Sequence, residues 1–151
     1  SVAKVADAFG CNVQFFSTSG ANNDTTYAKK TLEELLKTSD IISIHSPLNN
    51  DTSNLINKTN ISTLKDGAIL LNLGRGGIVN EQDISDSINN NTNVYYGTDV
   101  VSKEPIEKSS PLLTINNKEK VIFTPHIAWA SKEARARLLN GIEDNIKEFV
   151  L

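Results

Sequence analysis

Residues 68–77 read Ala-Ile-Leu-Leu-Asn-Leu-Gly-Arg-Gly-Gly, an apolar run that passes directly into a glycine-rich turn with one arginine. A short apolar run bounded by turn residues is typical of a strand buried in a parallel sheet. Comparable runs start near residues 12, 40, 94 and 121, so the five runs recur at intervals of 26 to 28 residues. Because a βαβ unit takes about 30 residues, this spacing predicts parallel strands joined by crossover helices.

The segments between these runs carry signals for the start of a helix. Thr31 and Glu34 have the spacing of a capping box. Asn60 is expected to open a short helical turn, and Asn80 is expected to cap the helix that follows it. Strands that alternate with helices predict an open, doubly wound α/β domain, with a parallel sheet covered by helices on both faces.

The last part of the chain has the pattern of a single long helix. Ser131 is a good N-cap, and the apolar residues after it are spaced by three or four. The pair Asn140-Gly141 could instead mark a turn. The apolar stripe stays in phase across this pair, so we predict one helix.

The first residues form an apolar helical face from Val2 to Phe9 that ends at Gly10, a typical residue just beyond a helix C-terminus. Stepping the strand spacing back once places a further strand before Ser1, and the chain does not begin with methionine. We therefore expect residues 1–151 to form a partial domain of a larger protein, neither stable nor active alone. The missing strand is expected to lie between the strands that start near residues 12 and 68.

The composition excludes several classes of function. Fifteen Lys and Arg residues against 18 Asp and Glu residues give a net charge of −3, and no basic stripe suggests binding to nucleic acid. No apolar run approaches the roughly 20 residues of a membrane-spanning helix. The single cysteine, Cys11, suits a reducing compartment, which predicts a cytoplasmic protein. We expect Cys11 to be packed between a helix and a strand.

Ligands of open parallel sheets bind at the carboxyl ends of the strands, and Arg75, His45 and His126 each follow a predicted strand. Arginine offers a rigid fork for a carboxylate, although an arginine in a solvated turn would show the same pattern. Histidine suits proton transfer near neutral pH, although a lone histidine is more often structural. Glu104 could orient His126 or be an ordinary exposed glutamate. No spacing typical of metal ligands occurs, so no metal site is predicted.

With these residues identified, the chain resembles the nucleotide-binding domain of the D-2-hydroxyacid dehydrogenase family, which has a Rossmann-like fold. Four signatures carry the resemblance, they occur in the family's order, and they extend over nearly the whole chain. They are Ser39-Asp40-Ile41-Ile42-Ser43-Ile44-His45-Ser46-Pro47-Leu48, Leu64 to Gly76, Gly97-Thr98-Asp99-Val100 with Glu104-Pro105, and Thr124-Pro125-His126-Ile127-Ala128-Trp129-Ala130-Ser131. The last signature is most similar to the hydroxypyruvate reductases, also called glycerate dehydrogenases.

The resemblance implies three catalytic residues for the interconversion of a 2-keto acid, hydroxypyruvate or glyoxylate, and a D-2-hydroxy acid, glycerate or glycolate. Arg75 would bind the substrate carboxylate and polarise the keto oxygen. His126 would donate a proton to that oxygen and recover it in the reverse direction. Glu104 would hold the imidazole ring and favour its protonated form. Trp129 would lie near the substrate, although it could equally be a packing residue.

The resemblance also implies NAD as the cofactor, with Asp99 bonded to the nicotinamide carboxamide and residues 45–47 beside the adenosine. The predicted cofactor-binding residues are Ser17, His45, Ser46, Pro47, Leu73, Gly74, Asp99 and Ala128. Members that prefer NAD often have Asp where Ser17 stands, so NADP stays open. No Arg immediately follows Ser17 to receive a 2′-phosphate, which favours NAD. The Gly-x-Gly-x-x-Gly fingerprint is absent, as expected if it precedes Ser1.

Two alternatives to this reductase resemble the same family. Non-catalytic corepressors that sense NAD share its fold and can retain Arg75, Glu104 and His126. Formate dehydrogenases are similar too, but they have glutamine at the position of Glu104, which argues against that activity. The family resemblance further implies a homodimer.

Overall fold

Six strands, all in parallel pairings, form two sheets in the computed structural model, which describes residues 1–150. The smaller sheet pairs β1 (Gln14–Phe15) with β2 (Ala28–Lys29). The larger sheet has the order β3-β4-β5-β6, and its strands are Ile41–Ile44, Ile69–Asn72, Tyr95–Thr98 and Val121–Phe123. The predicted parallel α/β architecture is therefore confirmed. Leu151, the last residue of the predicted domain, lies outside the described residues.

Residues 1–150 contain five α-helices, three of which lie between strands. They are α1 (Val2–Ala8), α2 (Leu32–Thr38), α3 (Lys58–Ile61), α4 (Glu81–Asn89) and α5 (Lys132–Val150), and short 3-10 turns at Pro111–Thr114 and Lys118–Lys120 precede β6. The predicted helix α5 is confirmed as one continuous helix. None of the helices within residues 1–150 is long and apolar enough to cross a membrane.

The predicted helix caps agree with the structure at four places, including Ser131, whose hydroxyl accepts a hydrogen bond from the N–H of Ala134. Thr31 and Glu34 form a reciprocal capping box at the start of α2. The Asn80 side chain accepts a hydrogen bond from the N–H of Asp83 at the start of α4. Gly10 follows α1 with a φ of +80°, the left-handed conformation that favours glycine at this place.

The prediction that Asn60 opens a helix is wrong. Helix α3 is capped by Asn57, whose side-chain oxygen accepts a hydrogen bond from the N–H of Thr59. Asn60 is the third residue of the helix, and its side chain accepts a hydrogen bond from the N–H of Asn57. Both asparagines serve the same capping box, and the cap begins three residues earlier than expected.

The hydrophobic core lies on one face of the larger sheet. Alternate residues of β3, β4 and β5 point into it, and helices α2, α3 and α4 cover this face with Leu36, Ile61 and Ile84. On the opposite face Ile41 is 59% exposed and Tyr95 is 40% exposed. Helices α1 and α5 bury no side chain. Within residues 1–150, helices therefore cover one face of the larger sheet, whereas helices were expected on both faces.

The expected position of an additional strand is wrong. Strands β3 and β4 pair directly, with Ile41 opposite Ile69, and β4 pairs with β5 on its other side. A groove of about 400 Å³ instead separates β1 from β3. A strand that joined the two sheets would therefore lie between β1 and β3. The sequence also failed to predict β2, because its two residues are exposed and carry no apolar pattern.

The expected packing of Cys11 is also wrong, because its side chain is exposed. Cys11 follows Gly10 directly, and α1 contributes no buried side chain against which it could pack. The thiol therefore lies at the surface of the described structure.

Candidate active site

The predicted site residues follow four neighbouring strands of the larger sheet. His45 comes after β3, Arg75 after β4, Asp99 after β5 and His126 after β6. Because these strands are parallel, their carboxyl ends meet at one edge of the sheet. The fold therefore places residues that are up to 81 positions apart in sequence along the same edge.

The turn that carries Arg75 is organised by a buried side chain that the sequence analysis missed. Asn72, only 1% exposed at the end of β4, donates from Nδ2 to the carbonyl of Arg75 at 3.0 Å. Its Oδ1 accepts from the N–H of Gly74 at 3.2 Å. The sequence did contain a signal for this role, because Asn72 is a polar residue at the end of an apolar strand. A buried polar side chain of this kind needs hydrogen-bond partners.

Arg75 itself is exposed at the surface of this turn, and its Nη1 donates to the carbonyl of Gly74 at 2.8 Å. One guanidinium carries five N–H donors, so most of them remain available to a ligand. The turn borders a cavity of about 620 Å³, a volume in the usual range for small-molecule sites. Its lining residues are His45, Ser46, Pro47, Leu48, Leu73, Gly74 and Arg75.

His126 and Glu104 form a hydrogen-bonded pair, with Nδ1 of the ring 2.7 Å from Oε2 of the carboxylate. The hydrogen bond from His126 is the main reason that the pKa of Glu104 lies below its ordinary value, with a smaller contribution from the N–H of Val101. An ionised carboxylate can only accept hydrogen bonds, so Nδ1 carries the proton. The arrangement leaves Nε2 as the ring nitrogen available to a substrate.

Asp99 forms hydrogen bonds with residues on both sides of His126. Its carboxylate is 3% exposed and accepts hydrogen bonds from the Thr124 hydroxyl at 2.6 Å and from the N–H groups of Ile127 and Ala128, each at 2.8 Å. Between these anchors His126 has a φ of +53°, which is uncommon outside glycine. The three hydrogen bonds therefore support a strained backbone at the residue that bears the imidazole.

The environment of Asp99 also favours its charged form. Burial of the carboxyl opposes ionisation, but the hydrogen bonds from Thr124, Ala128 and Ile127 outweigh this effect and hold the pKa of Asp99 below its ordinary value. A carboxylate has about four acceptor positions, and three are in use. One position therefore remains for the predicted bond to a nicotinamide carboxamide, which stays a prediction.

The remaining predicted residues fall beside these groups. Trp129 is 52% exposed, and its Nε1 donates to the carbonyl of His126 at 2.9 Å. Ser17 follows β1 and lines the groove between β1 and β3 together with His45 and Ser46. The ring of His45 lies 2.8 Å from the hydroxyl of Ser43. The structure thus groups the predicted adenosine-side residues in one region.

Among the predicted catalytic residues, Arg75 is separate from the hydrogen-bonded pair of Glu104 and His126. No hydrogen bond of the described residues joins Arg75 to Glu104 or His126. The turn that follows Arg75 instead contacts the segment that carries Glu104, because a Cβ on Gly76 would lie 2.0 Å from the carbonyl oxygen of Val101. Over residues 1–150, no group of three His, Cys, Asp or Glu side chains could hold a metal ion.

Comparison with known proteins decides the family to which this site belongs. A family model described as D-isomer specific 2-hydroxyacid dehydrogenase, NAD binding domain, matches residues 1–128. The chain belongs to the D-isomer specific 2-hydroxyacid dehydrogenases. Within this family, the matched segment is the NAD-binding domain, in agreement with the predicted cofactor, and it contains every predicted site residue except Trp129.

Individual relatives within the dehydrogenase family agree with this assignment. The chain is 40% identical to a hydroxypyruvate reductase of Blautia hydrogenotrophica, over 99% of this chain and 46% of that protein. It is 37% identical to a glycerate dehydrogenase of Methylorubrum extorquens, over 99% of this chain and 46% of that protein. The chain therefore spans about half the length of the curated relatives it matches.

A solved dehydrogenase structure shows that the fold is shared as well. The D-lactate dehydrogenase of Aquifex aeolicus, complexed with NAD and lactic acid, superimposes with a TM-score of 0.87 at 28% identity. The match covers 99% of this chain and 49% of that chain. The predicted Rossmann-like fold is therefore confirmed.

Proposed function

We propose that the protein containing this chain reduces a 2-keto acid, hydroxypyruvate or glyoxylate, to the corresponding D-2-hydroxy acid, glycerate or glycolate, and catalyses the reverse reaction. The observation that carries the proposal is the 2.7 Å hydrogen bond between Nδ1 of His126 and Glu104, which leaves Nε2 free to exchange a proton. The similarity to a hydroxypyruvate reductase and to a glycerate dehydrogenase supports this choice of substrate.

Arg75 binds the carboxylate of the substrate with its guanidinium fork and polarises the keto oxygen. In reduction, Nε2 of the protonated His126 ring gives its proton to that oxygen, and in oxidation it takes the proton back. Glu104 keeps the ring oriented through Nδ1 in both directions. When it is bound, NADH supplies the hydride.

The residues along the sheet edge fit such a cofactor. Ser17, His45, Ser46 and Pro47 would line its adenosine half, and Leu73 and Gly74 would lie beside its central part. Asp99 and Ala128 would lie at the nicotinamide, where Asp99 has one free acceptor position. The absence of an arginine immediately after Ser17 favours NAD over NADP.

The proposal includes three further features of the whole protein, namely a residue beside the substrate, the oligomeric state and the cellular location. Trp129 would border the substrate, because its indole is tied to the backbone of His126 and its side chain is half exposed. The family resemblance supports a homodimer. The single cysteine of the chain suits a reducing compartment and supports a cytoplasmic location.

Two measurements on the natural protein that carries these residues test the proposal. NADH oxidation is followed with hydroxypyruvate, glyoxylate and pyruvate, and NADH and NADPH binding are titrated by fluorescence. We expect turnover that is fastest with hydroxypyruvate or glyoxylate, and tighter binding of NADH than of NADPH. NADH binding with no turnover of any 2-keto acid would overturn the proposal and favour a non-catalytic NAD sensor.

A further inference from the structure

Glu81, the first residue of helix α4, makes a contact that its place in the helix does not require. Its Oε1 accepts a hydrogen bond of 2.6 Å from the N–H of Ser102, which lies 21 residues later in the segment after β5. An acidic residue in the first turn is common, because it interacts favourably with the N-terminus of the helix. The bond to Ser102 additionally anchors a distant segment to α4.

The anchored segment is the one that carries Glu104. The N–H of Val101, next to Ser102, donates to Oε1 of Glu104 at 3.2 Å. Two successive N–H groups are thus held by two carboxylates, one from α4 and one from the segment itself. The second oxygen of Glu104 holds His126. Hydrogen bonds therefore link α4 to the imidazole through the backbone of Val101 and Ser102 and through the side chain of Glu104.

A second contact holds the same peptide unit from the side of the Arg75 turn. A Cβ added to Gly76 would lie 2.0 Å from the carbonyl oxygen of Val101 and 2.5 Å from the nitrogen of Ser102. The backbone of this turn therefore packs directly on the unit to which Glu81 binds. Helix α4 follows the Arg75 turn in the chain, so both contacts fix the Glu104 segment relative to one continuous stretch.

From this geometry we infer that Glu81 is a positioning residue, which fixes the Val101–Glu104 segment on helix α4 and thereby sets the distance between Glu104 and His126. This inference rests on the proposed function in one respect, because the proposed function gives Glu104 and His126 their role in proton transfer. Misplacing a catalytic group by about 1 Å can cost up to about a hundredfold in rate. Loss of one of the two contacts that hold this segment should lower kcat by less, about tenfold.

The same helix offers a matched control. Asp83, also in the first turn of α4, accepts a hydrogen bond from the N–H of Lys58 at 2.8 Å. Like Glu81, it contributes a negative charge near the helix N-terminus and one bond to a distant backbone N–H. Its bond leads to α3 and away from Glu104, so Asp83→Ala separates an effect on helix stability from an effect on the site.

The experiment compares Glu81→Ala, Glu81→Gln, Glu81→Asp and Asp83→Ala in the natural protein that carries these residues. We expect kcat to fall about tenfold in Glu81→Ala with unchanged NADH affinity, and to stay within about twofold of the parent in Glu81→Gln, whose amide oxygen still accepts the bond. Asp83→Ala should keep the parent kcat. Glu81→Asp retains the charge with a shorter reach, so it should lose kcat even if Glu81→Ala does not fold.

A measurement that is independent of turnover accompanies the kinetics. Amide hydrogen exchange at Ser102 should be faster in Glu81→Ala and Glu81→Asp, and the NMR signal of the His126 Nδ1 proton should weaken. If the parent protein has no turnover, the proposed function fails and these two signals alone decide the inference. Parent-like exchange at Ser102 in both variants, or an equal loss of kcat in Asp83→Ala, would overturn it.

Discussion

The carboxylate of Asp99 accepts hydrogen bonds from the N–H groups of Ile127 and Ala128, immediately after His126, and so holds the histidine backbone in a left-handed conformation. A conformation of this kind costs about 1–3 kcal/mol and persists only where the surroundings enforce it. The resemblance assigned Asp99 to the cofactor. The hydrogen bonds indicate that it supports the backbone around His126.

Replacing Asp99 with Asn should therefore weaken this support. The amide keeps one oxygen acceptor but places an NH2 group against backbone N–H donors. We expect the free energy of unfolding to fall by about 2 kcal/mol, the range for a lost bond to a charged group, and kcat to fall with it. Urea unfolding measures the first effect. Asp66→Asn, at an exposed position on the opposite edge of the sheet, should change neither quantity.

The lowered pKa of Asp99 also predicts a pH dependence of stability. An unfolded aspartate titrates near 3.9, and in the folded protein the group stays ionised to lower pH. The contribution of Asp99 to the free energy of unfolding is therefore complete above about pH 4. It is lost as the pH falls through the pKa of Asp99 in the folded protein. Thermal unfolding between pH 6 and pH 3 should show a smaller loss in Asp99→Asn than in the parent. Equal losses would contradict this assignment.

Glu104→Gln should slow catalysis while the protein remains folded. The amide oxygen can still accept a hydrogen bond from Nδ1, but the negative charge beside the ring is gone. We expect a loss of ten- to a hundredfold in kcat, which corresponds to about 1.4–2.7 kcal/mol. Steady-state kinetics and an NADH titration measure the two properties separately. Comparable losses in NADH affinity would show that Glu104 acts on binding instead.

Arg75→Ala should cost far more in turnover than in NADH binding. Arg75 lines the cavity, and its guanidinium donates a hydrogen bond to Gly74 in its own turn, so its removal should leave the adenosine-side residues in place. Arg75→Lys keeps the charge but loses the bidentate fork, so its kcat/KM should lie between those of the parent and Arg75→Ala. Equal losses in turnover and in NADH binding would argue against the assigned role.

Gly76→Ala and Gly141→Ala should change the free energy of unfolding in opposite directions. A Cβ at Gly76 would collide with the Val101 carbonyl, so the two loops must separate or the protein must unfold. Gly141 lies inside α5, and apart from its chain neighbours and the nearby backbone of the helix no atom lies within 4 Å of the added Cβ. Its replacement should stabilise the helix by about 0.5–1 kcal/mol. Urea unfolding of both variants would test the pair.

The sequence was sufficient to predict the strands of the larger sheet and the sheet edge at which the candidate site residues lie. Apolar runs at a regular spacing carry that information, and each predicted start lies within two residues of the observed one. The pairing of β3 with β4 was not predictable, because apolar composition does not specify a neighbour. The role of Asn72 was missed for a related reason, since its bonds depend on how the following turn folds back.

The residues alone left two roles open for Glu104, as the partner of His126 or as an exposed glutamate, and the family resemblance favoured the pair. Twenty-two residues separate them in the sequence, and the segment between them has no strong periodicity. Their contact depends on the pairing of β5 with β6, which brings the two segments together. The contact of Glu81 with Ser102 likewise joins two residues whose types alone suggest nothing beyond a helix start and a loop.

The separation of β1 from β3 bears on how this chain behaves at high concentration. Both strands present backbone to the groove that separates them. An uncovered strand edge is a template on which a second molecule can add its own strand. Overexpressed as these 151 residues alone, the chain should accumulate in inclusion bodies, and a short extended peptide that fills the groove should increase the soluble yield.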